Sequence, residues 1–557
     1  MLFYFLSGFL FFFLSIIMFL FSMVYLYLKF MVFIEWNILF LNSVELNYVI
    51  FVDWMSLIFI FLIFFISSMI MFYSSEYMFG EKNLNQFFYL LYLFIISMIL
   101  MILSPSMISI LLGWDGLGLI SFCLVIYYQN YYSMNCGMIT ILINRMGDVM
   151  ILMSISMMFI LGSWNFMNYN FIFNLLILLI LLISFTKSAQ FPFSSWLPMA
   201  MAAPTPVSSL VHSSTLVTAG IYLLIRFNYL IYKNDNLLFY LMLTGLLTMM
   251  MAGISANFEF DMKKIIAYST LSQLGLMMMI FSIKFYDLAF FHLIIHAMFK
   301  SMMFMCSGIF IHMMLNNQDI RNLGMLFKFL PLSVMMFMVS NFSLCGMPFF
   351  SGFFSKDKIL EMMISLNMNF LIFVFLLFST MLTLMYSFRL SYYLLINKFF
   401  FFPFFLVKDN KIMNFSMMLL MIMSMIFGMI MNLLIYMNLE EIYLFKMEKL
   451  MILILLIVFF MIMFFLMKLL FYKKMMFMKL FFGNMWFIYN LNKLIFFPLN
   501  FIKLNYLFFD KGWSEFYFKN SLIKMINLNS KLINLNNNFL MMMIFFMVFM
   551  YFFLLMI

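Results

Sequence analysis

Charged side chains are scarce in this sequence of 557 residues, where 30 Lys and Arg and 20 Asp and Glu make up only 9% of the chain. In soluble domains the charged share is roughly 25%. Hydrophobic residues make up 67%, so a soluble globule of this length would lack the polar surface that it needs. The composition excludes a soluble enzyme, a nucleic-acid-binding protein and a disordered chain, and it predicts a polytopic membrane protein.

Cysteine is rare as well, and its spacing is informative. Cys123, Cys136, Cys306 and Cys345 lie far apart, and no C-x-x-C pair occurs. Cysteines in this pattern provide neither an iron–sulfur or zinc framework nor a disulfide scaffold. We therefore expect no cysteine-bound cofactor or metal in this chain.

Phenylalanine and methionine, by contrast, are abundant, with 84 and 70 residues. Together with frequent Ile, Asn, Tyr and Lys, they are typical of an A/T-rich genome. Methionine in such excess suggests a genetic code that reads a second codon as Met, which indicates a mitochondrial genome. Residues 1–28 are apolar and lack a basic n-region, so we expect a first spanning helix there rather than an import signal.

Long continuous apolar runs predict an all-α polytopic fold, because a membrane β-barrel would show short alternating segments. A spanning helix needs roughly 20 apolar residues, and on that criterion about 15 to 16 transmembrane helices are expected, the sixteenth from the interrupted stretch 185–206. The runs lie near residues 2–28, 50–73, 86–104, 106–128, 138–162, 171–190, 206–230, 237–257, 265–283, 288–314, 327–349, 366–396, 414–437, 450–472 and 538–557.

Two stretches interrupt this pattern with Pro, small residues and one lysine each. The first, 185–198, contains Lys187, and the second, 345–357, contains Lys356. A continuous helix avoids such residues, and non-helical backbone at membrane depth is tolerated only where it is buried in protein or lines a wet cavity. Broken helices in both halves of a chain predict a transporter built from internal repeats. Two ordinary Pro-kinked helices are the alternative.

The C-terminal region is rich in lysine. From Lys468 to Lys531 lie ten lysines and only two acidic residues, which places this region on the matrix side if the protein is mitochondrial. Pro498 and Gly512 predict interruptions, so 513–537 is the cleanest candidate for a lateral amphipathic helix. Anchoring of the lysines to anionic lipid is an alternative that is compatible with such a helix.

The sequence thus divides into six parts. They are N-terminal transmembrane helices in 1–104, a first repeat in 105–257, a second repeat in 261–396, additional transmembrane helices in 397–472, a lysine-rich lateral segment in 473–537 and a C-terminal transmembrane anchor in 538–557.

Ionisable groups inside spanning helices are costly unless they are paired, so each is a candidate for function. Arg145 and Asp148 lie three residues apart, and His292, His296 and Lys300 follow at i, i+4 and i+8 along one helix face. The other candidates are Asp115, Lys187, His212 with the Ser and Thr residues around it, Lys356 and Asp357.

Groups that titrate, rather than groups that bind metals, dominate this set. A lysine and a carboxylate 4 Å apart are coupled by roughly 4 kcal/mol at an effective dielectric of 20, so making and breaking such a pair could load or eject a proton. A bis-His haem needs ligands on opposite faces of the ring, whereas His292 and His296 share one helix face. A zinc site at these two histidines lacks third and fourth ligands. For any single residue a structural ion pair is the alternative.

Six motifs resemble the NADH dehydrogenase subunit 5 family, the antiporter-like subunits of mitochondrial complex I, and the similarity covers at least residues 105–360. The motifs are Gly113–Phe122, Lys187–Gln190, Pro204–His212, Asp261–Gln273, Phe291–Lys300 and Gly352–Asp357.

This resemblance implies two inverted five-helix repeats, followed by a lateral helix and a final transmembrane helix, at the distal end of the membrane arm. It implies that Asp115 is the acidic partner of Lys187, although many relatives have the longer Glu at this position. Proton transfer is then expected at Asp115, Lys187, His212, His292, His296, Lys300, Lys356 and Asp357, with supporting ion pairs at Arg145, Asp148, Lys263 and Lys264.

The resemblance also implies that NADH is oxidised in other subunits and that this chain has no redox centre. The expected location is the inner mitochondrial membrane, with lipid and other membrane-arm subunits as partners, the latter contacted in part through 473–537. A subunit of a multi-chain cation/proton antiporter has the same motifs and is the first alternative. A non-conducting structural spacer of the membrane arm is the second.

Overall fold

The computed structural model describes residues 2–41, 44–165, 174–365, 369–396, 409–436, 444–445, 447–450, 454, 458, 476–483, 485–488, 497–525 and 539–555. Within these residues, 11 helices are long and apolar enough to cross a membrane, which confirms the polytopic all-α fold. Such helices suit a bilayer because they satisfy every backbone polar group internally. The apolar run 450–472 lies almost wholly outside the described residues, and the total of 15 to 16 helices stays a prediction.

The first part of the chain forms these helices and strands in order. They are α1 (Leu2–Leu28), β1 (Val32–Leu41), β2 (Val44–Val52), α2 (Trp54–Tyr77), α3 (Leu84–Leu103), α4 (Met107–Val125), α5 (Tyr131–Phe159), α6 (Asn174–Lys187), α7 (Trp196–Ala200), α8 (Thr205–Arg226), α9 (Asn228–Ile231) and α10 (Asp235–Phe258).

The second part continues with helices alone. They are α11 (Met262–Ser282), α12 (Tyr286–Met313), α13 (Pro331–Cys345), α14 (Ser351–Ser365), α15 (Phe370–Leu395), α16 (Lys411–Tyr436), α17 (Met476–Gly483), α18 (Phe497–Phe508) and α19 (Phe539–Leu555). Short 3-10 turns lie at Phe193–Ser195, Ile320–Asn322, Leu326–Lys328 and Met485–Phe487.

Four central helices, α2, α8, α11 and α12, are each completely buried over a stretch of 18 residues. The outer helices α1, α5 and α16 bury one face and expose Leu, Phe and Met on the other. Since lipid tails are as apolar as these side chains, the exposed face has no cost in a membrane. The polar residues of the central helices are thereby shielded from lipid.

The helices are interrupted in both stretches where the sequence predicts breaks. In the first, α6 ends at Lys187 and the short α7 begins at Trp196. In the second, α13 ends at Cys345 and Gly346 caps it in the left-handed conformation (φ 81°), which glycine adopts without strain. Gly352 lets α14 cross close to α13, because a Cβ there would collide with the Ser343 carbonyl.

An antiparallel β-hairpin, β1 and β2, lies between α1 and α2 and was not predicted from the sequence. Asp53 follows it and caps α2, accepting a hydrogen bond from the Ser56 amide at 2.9 Å. Arg226, at the end of α8, donates to both Asp53 oxygens at 2.6 and 2.7 Å. The buried pair therefore fastens the end of α8 to the start of α2.

Residues 487–557 form a separate compact unit. Its chain is helical from Phe497 through α18 and two π-helical segments, Phe509–Ser514 and Phe516–Ser521, up to residue 525. Gly512 lies inside a π-helical turn, so the prediction of an interruption at Gly512 was wrong. Residues 489–496 lie outside the described residues, and the interruption at Pro498 stays a prediction. Residues 526–537 of the lateral segment also lie outside the described residues.

Candidate functional site

Lys187 is completely buried at the end of α6. Its ammonium donates a hydrogen bond to the Trp114 carbonyl oxygen of α4 at 3.3 Å, and it lies 5.1 Å from the centre of the Trp114 ring. Gly118, one turn further along α4, lies beside the amine, and a Cβ there would make an ordinary van der Waals contact with Nζ at 3.5 Å. The break in the helix therefore places a buried cation against the backbone of α4.

The acidic residues near Lys187 share an arginine. Arg145 Nη1 on α5 lies 3.4 Å from Asp115 Oδ1 on α4 and 3.2 Å from Asp148 Oδ2 one turn along its own helix. Asp115 and Arg145 are 38% and 41% exposed, whereas Asp148 is only 10% exposed. The predicted Arg145–Asp148 ion pair is present, and Arg145 also holds Asp115.

The structure does not bring Asp115 into a salt bridge with Lys187. Both carboxylates are near enough to attract the Lys187 ammonium, and Asp148 is the more buried of the two, so water screens its charge less. The second oxygen of Asp148, Oδ1, is buried and has no hydrogen-bond partner among the described residues. Asp148 is thus the acidic residue best placed to alternate between Arg145 and Lys187, a role that the sequence did not assign to it.

His212 lies in a π-helical segment of α8, Ser208–Thr215, which the sequence did not predict. It is buried, its ring contacts the Trp196 ring with centroids 6.2 Å apart, and neither ring nitrogen has a hydrogen-bond partner in the described part of the chain. The predicted hydroxyl groups do surround it, but they donate to backbone carbonyls of their own helix. π-Helical turns are frequent at functional sites.

Of the two adjacent lysines at the start of α11, only one forms an ion pair among the described residues. Lys264 lies 2.6 Å from Asp261. Lys263 is buried and donates to the Ala203 carbonyl oxygen at 3.1 Å, in the loop that precedes α8. Because Lys263 has a backbone partner instead of a carboxylate, it belongs with the buried lysines and not with the ion pairs.

The row on α12 is present as predicted, and its members differ in their contacts. His292 Nδ1 lies 2.9 Å from Ser355 Oγ, and its Nε2 lies 3.2 Å from Gln273 Oε1. The His296 ring lies 6.5 Å from that of His292, but its nitrogens have no hydrogen-bond partner within the described ranges. Lys300 donates to the Ser269 hydroxyl.

Lys356 occupies the second break and resembles Lys187 in its contacts. It is buried and donates to the Leu344 carbonyl oxygen near the end of α13 at 3.4 Å and to Thr383 Oγ1 at 2.9 Å. Asp357 does not pair with it; the charged groups that act on Asp357 are Glu361 and Lys449. Among the described residues, the salt bridges include no carboxylate on Lys300 or Lys356.

We call Asp115, Arg145, Asp148, Lys187 and His212 the first-half site, and Gln273, His292, His296, Lys300, Ser355 and Lys356 the second-half site. Gln273 and Ser355 were not predicted as functional residues, although both lie inside motifs that the sequence analysis singled out. Within the described ranges, no group of three His, Cys, Asp or Glu residues is arranged to hold a metal ion. The four cysteine thiols are free.

Three family models match the chain. The model described as NADH:quinone oxidoreductase/Mrp antiporter, TM, matches residues 104–383. The model for the NADH dehydrogenase subunit 5 C-terminus matches 386–557, and the model for the N-terminus of NADH-ubiquinone oxidoreductase (complex I) chain 5 matches 36–88.

Curated relatives are similar over most of the chain. It is 47% identical to NADH-ubiquinone oxidoreductase chain 5 of Aedes aegypti over 511 residues, which cover 89% of this chain and 88% of the relative. It is 48% identical to the chain of the same name from Anopheles gambiae over 498 residues, 87% of this chain and 86% of the relative.

Two solved structures have a similar fold at 22% sequence identity. A chain of the Mrp complex from Dietzia sp. matches with a TM-score of 0.70 over 80% of this chain, which spans about half (52%) of the length of that chain. A chain of an archaeal membrane-bound sulfane sulfur reductase matches with a TM-score of 0.63 over 69% of this chain and 81% of its own length.

Proposed function

The chain belongs to the family of NADH-ubiquinone oxidoreductase chain 5, and we propose that it is a proton-translocating subunit in the membrane arm of mitochondrial complex I. It is a multi-pass inner-membrane protein. NADH oxidation and ubiquinone reduction take place in other subunits of the assembly, and this chain transfers protons without a redox centre or metal of its own.

The observation that carries this proposal is the pair of buried lysines at the two helix breaks. Lys187 and Lys356 are 0% and 3% exposed, and each amine donates to the backbone of a neighbouring helix. A lysine at membrane depth is costly, so it marks a path for ions or protons more often than a structural contact. Along the chain between the two breaks are further buried titratable groups, namely His212, Lys263 and the α12 row.

The geometry supports a mechanism in which proton occupancy alternates. When Asp148 leaves Arg145 and approaches Lys187, it stabilises the protonated amine; when it returns to Arg145, the Lys187 charge is left uncompensated and the proton moves on. The groups that receive it, from His212 to Lys356, lie in a protein interior where two neighbouring positive charges repel each other strongly. Protons therefore advance one group at a time.

Native gel electrophoresis tests the assignment. Membranes are solubilised gently, the complexes are separated on a native gel and stained for NADH-dependent dye reduction, and this chain is identified in the bands. Migration with a very large NADH-oxidising band is the expected result. Its presence only in a smaller assembly without NADH activity would contradict the proposal.

A subunit of a cation/proton antiporter is the second candidate, because the description of the family model that matches residues 104–383 covers both NADH:quinone oxidoreductase and the Mrp antiporter. The fold alone does not distinguish the two functions, because it provides a route for protons in both. Vesicles that contain the purified assembly discriminate between them. An imposed sodium gradient should drive proton movement in an antiporter and should have no effect on a respiratory proton pump.

We further propose that 473–537 lies on the matrix side and contacts neighbouring subunits and lipid. Its lysines and the helical stretch of the separate C-terminal unit support this orientation. A membrane-impermeant amine reagent should label Lys503 and Lys511 in inside-out inner-membrane vesicles and not in mitoplasts. The reverse labelling would contradict the proposed side.

A further inference from the structure

His292 is the one histidine of the α12 row that the described residues contact through both ring nitrogens. Gln273 Oε1 lies 3.2 Å from Nε2 and Ser355 Oγ lies 2.9 Å from Nδ1. The oxygen of a glutamine side chain only accepts hydrogen bonds, so the contact with Gln273 requires a proton on Nε2. In the neutral ring, Nδ1 then carries the lone pair and is the atom that can accept the Ser355 hydroxyl, whose other acceptor is the Gly352 carbonyl oxygen at 3.3 Å.

The partner on the other side of Ser355 is the next residue in the chain, Lys356. In the structure the Lys356 amine bonds Thr383 and Leu344, and its charge is close enough to repel a charge on His292. The hydrogen bonds of the amine go to these two groups, so a transfer to Ser355 requires the flexible four-carbon stem to swing from Thr383 toward the Ser355 hydroxyl. The Ser355 hydroxyl contacts His292 Nδ1 and belongs to the residue next to Lys356 on α14.

Gln273 is itself held in a polar setting. It extends from α11, and the Tyr386 hydroxyl of α15 lies beside its amide. Tyr386 in turn shares a hydrogen bond of 3.1 Å with Ser272 on α11. These contacts join α11 to α15 beside the amide that faces His292, and the Gln273 Nε2 atom itself is buried without a hydrogen-bond partner among the described residues. His296 has no such support among the described residues, since neither of its ring nitrogens has a hydrogen-bond partner there.

We propose that Ser355 is a proton-transfer residue between Lys356 and His292, and that Gln273 is the positioning residue that keeps Nδ1 of His292 ready to accept. This inference rests on the proposed function, because it describes one step of the same proton path. It assigns roles to two residues that contact His292 and that were not among the predicted site residues.

The step balances without any other reactant. The Lys356 ammonium gives one proton to Ser355 Oγ while the Ser355 hydroxyl passes its own proton to His292 Nδ1. Lys356 becomes a neutral amine, Ser355 is again a hydroxyl, and His292 becomes an imidazolium that donates to Gln273 through Nε2 and to Ser355 through Nδ1. One N–H bond and one O–H bond break, one O–H bond and one N–H bond form, and no electrons are transferred.

The test uses the complete complex that contains this chain, reconstituted into liposomes, with proton uptake measured per NADH oxidised. Ser355→Ala removes one oxygen atom, and Ser355→Thr keeps a hydroxyl. The matched control is Ser307→Ala, because Ser307 is equally buried and donates only to the Phe304 carbonyl of its own helix at 2.8 Å. Lys356→Met serves as the reference for a blocked path.

Removal of a positioned proton-transfer group slows such a step by roughly 100-fold or more, so Ser355→Ala should lose proton uptake as Lys356→Met does. Ser355→Thr should restore it, and Ser307→Ala should pump normally. Normalisation to NADH oxidation keeps the result valid if fewer complexes assemble. Normal pumping by Ser355→Ala beside a defective Lys356→Met would overturn this inference alone. Normal pumping by both would overturn it together with the proposed function.

The role of Gln273 is tested by the pH profile of proton uptake, because a residue with only a structural role would not shift that profile. Gln273→Glu keeps an oxygen acceptor and adds a negative charge, so the His292 imidazolium holds its proton more firmly and the profile should shift toward higher pH. Gln273→Leu has a similar volume and no acceptor, and it should lower uptake across the whole range. An unshifted profile for Gln273→Glu would contradict the positioning role.

Discussion

The two halves of the membrane domain hold their buried lysines in different ways. In the first half, Lys187 is attracted by Asp148 and Asp115, and Arg145 competes for the same carboxylates. In the second half, the described contacts of Lys300 and Lys356 are hydroxyls and a backbone carbonyl. Nearby charges therefore act on Lys187, whereas Lys300 and Lys356 are held by hydrogen bonds to neutral groups.

The difference has an energetic meaning. At a separation of 4 Å and an effective dielectric of 20, forming or breaking an ion pair changes the electrostatic energy by roughly 4 kcal/mol. A hydrogen bond to a charged group contributes about 1.5 to 3 kcal/mol. The first-half site can thus act as a switch with two distinct arrangements, whereas the second-half site is suited to passing protons along groups that bind them with similar strength.

Of the changes considered, removal of the Asp148 carboxylate should reduce proton uptake the most. Asp148→Asn keeps the shape of the side chain and removes the more buried of the two negative charges near Lys187. We expect proton uptake per NADH to fall at least tenfold, since a change of roughly 1.4 kcal/mol already alters an equilibrium tenfold. Asp235→Asn is the control, because its ion pair with Lys284 is exposed. A normal proton yield from Asp148→Asn would show that the first half does not work by charge.

The second prediction ranks the two carboxylates of the first-half site. Asp115 is 38% exposed and Asp148 only 10%, so water screens the Asp115 charge more strongly. Asp115→Asn should therefore reduce proton uptake less than Asp148→Asn, measured in the same reconstituted complexes. A larger loss from Asp115→Asn would instead support the direct pairing of Asp115 with Lys187 that the family resemblance implies.

The third prediction concerns a neutral partner in the second half. Thr383→Val removes the hydroxyl that accepts from Lys356 at 2.9 Å. We expect a severalfold reduction in the initial rate of proton uptake, because one hydrogen bond of about 1.5 to 3 kcal/mol is lost while the backbone partner remains. Thr380→Val, one turn earlier on α15, is the matched control, since its hydroxyl donates to the Leu377 carbonyl. Equal rates for the two variants would argue against a role of Thr383.

The smallest effect is expected at Lys264. Its ion pair with Asp261 is about one-third exposed on both sides, and such pairs contribute at most about 1 kcal/mol. Lys264→Met should pump normally and assemble almost normally, while Lys263→Met, which removes the neighbouring buried amine, should reduce proton uptake. Native gels and reconstituted vesicles measure the two properties. A pumping defect in Lys264→Met and not in Lys263→Met would contradict this prediction. It would make Lys264 the residue that proton transfer needs and Lys263 the residue that it does not need.

Much of the framework could be predicted from the sequence. The positions of the helix breaks follow from Pro and Gly within apolar runs, and the row His292, His296 and Lys300 follows from helical spacing. The fold class follows from the length of the runs. These features depend on neighbours along the chain, which sequence patterns report directly.

The features that the sequence did not predict depend on contacts between distant segments. Arg145 reaches Asp115 across 30 positions, and Ser355 reaches His292 across 63. The pair of Asp53 and Arg226 and the π-helical segment around His212 are fixed by packing, not by local propensity. Gln273 gave only a weak signal in the sequence, a polar side chain in a buried helix. It belongs to one of the motifs, but no separate role was predicted for it.

The central claim is that protons pass through the buried lysines of both halves, and proton yield tests it most directly. Lys187→Met and Lys356→Met are introduced separately, and protons translocated per NADH oxidised are measured in reconstituted vesicles after assembly has been checked on native gels. We predict that each variant assembles and translocates fewer protons than the unaltered complex. An unchanged proton yield in both variants would contradict the claim and would identify the chain as a structural spacer of the membrane arm.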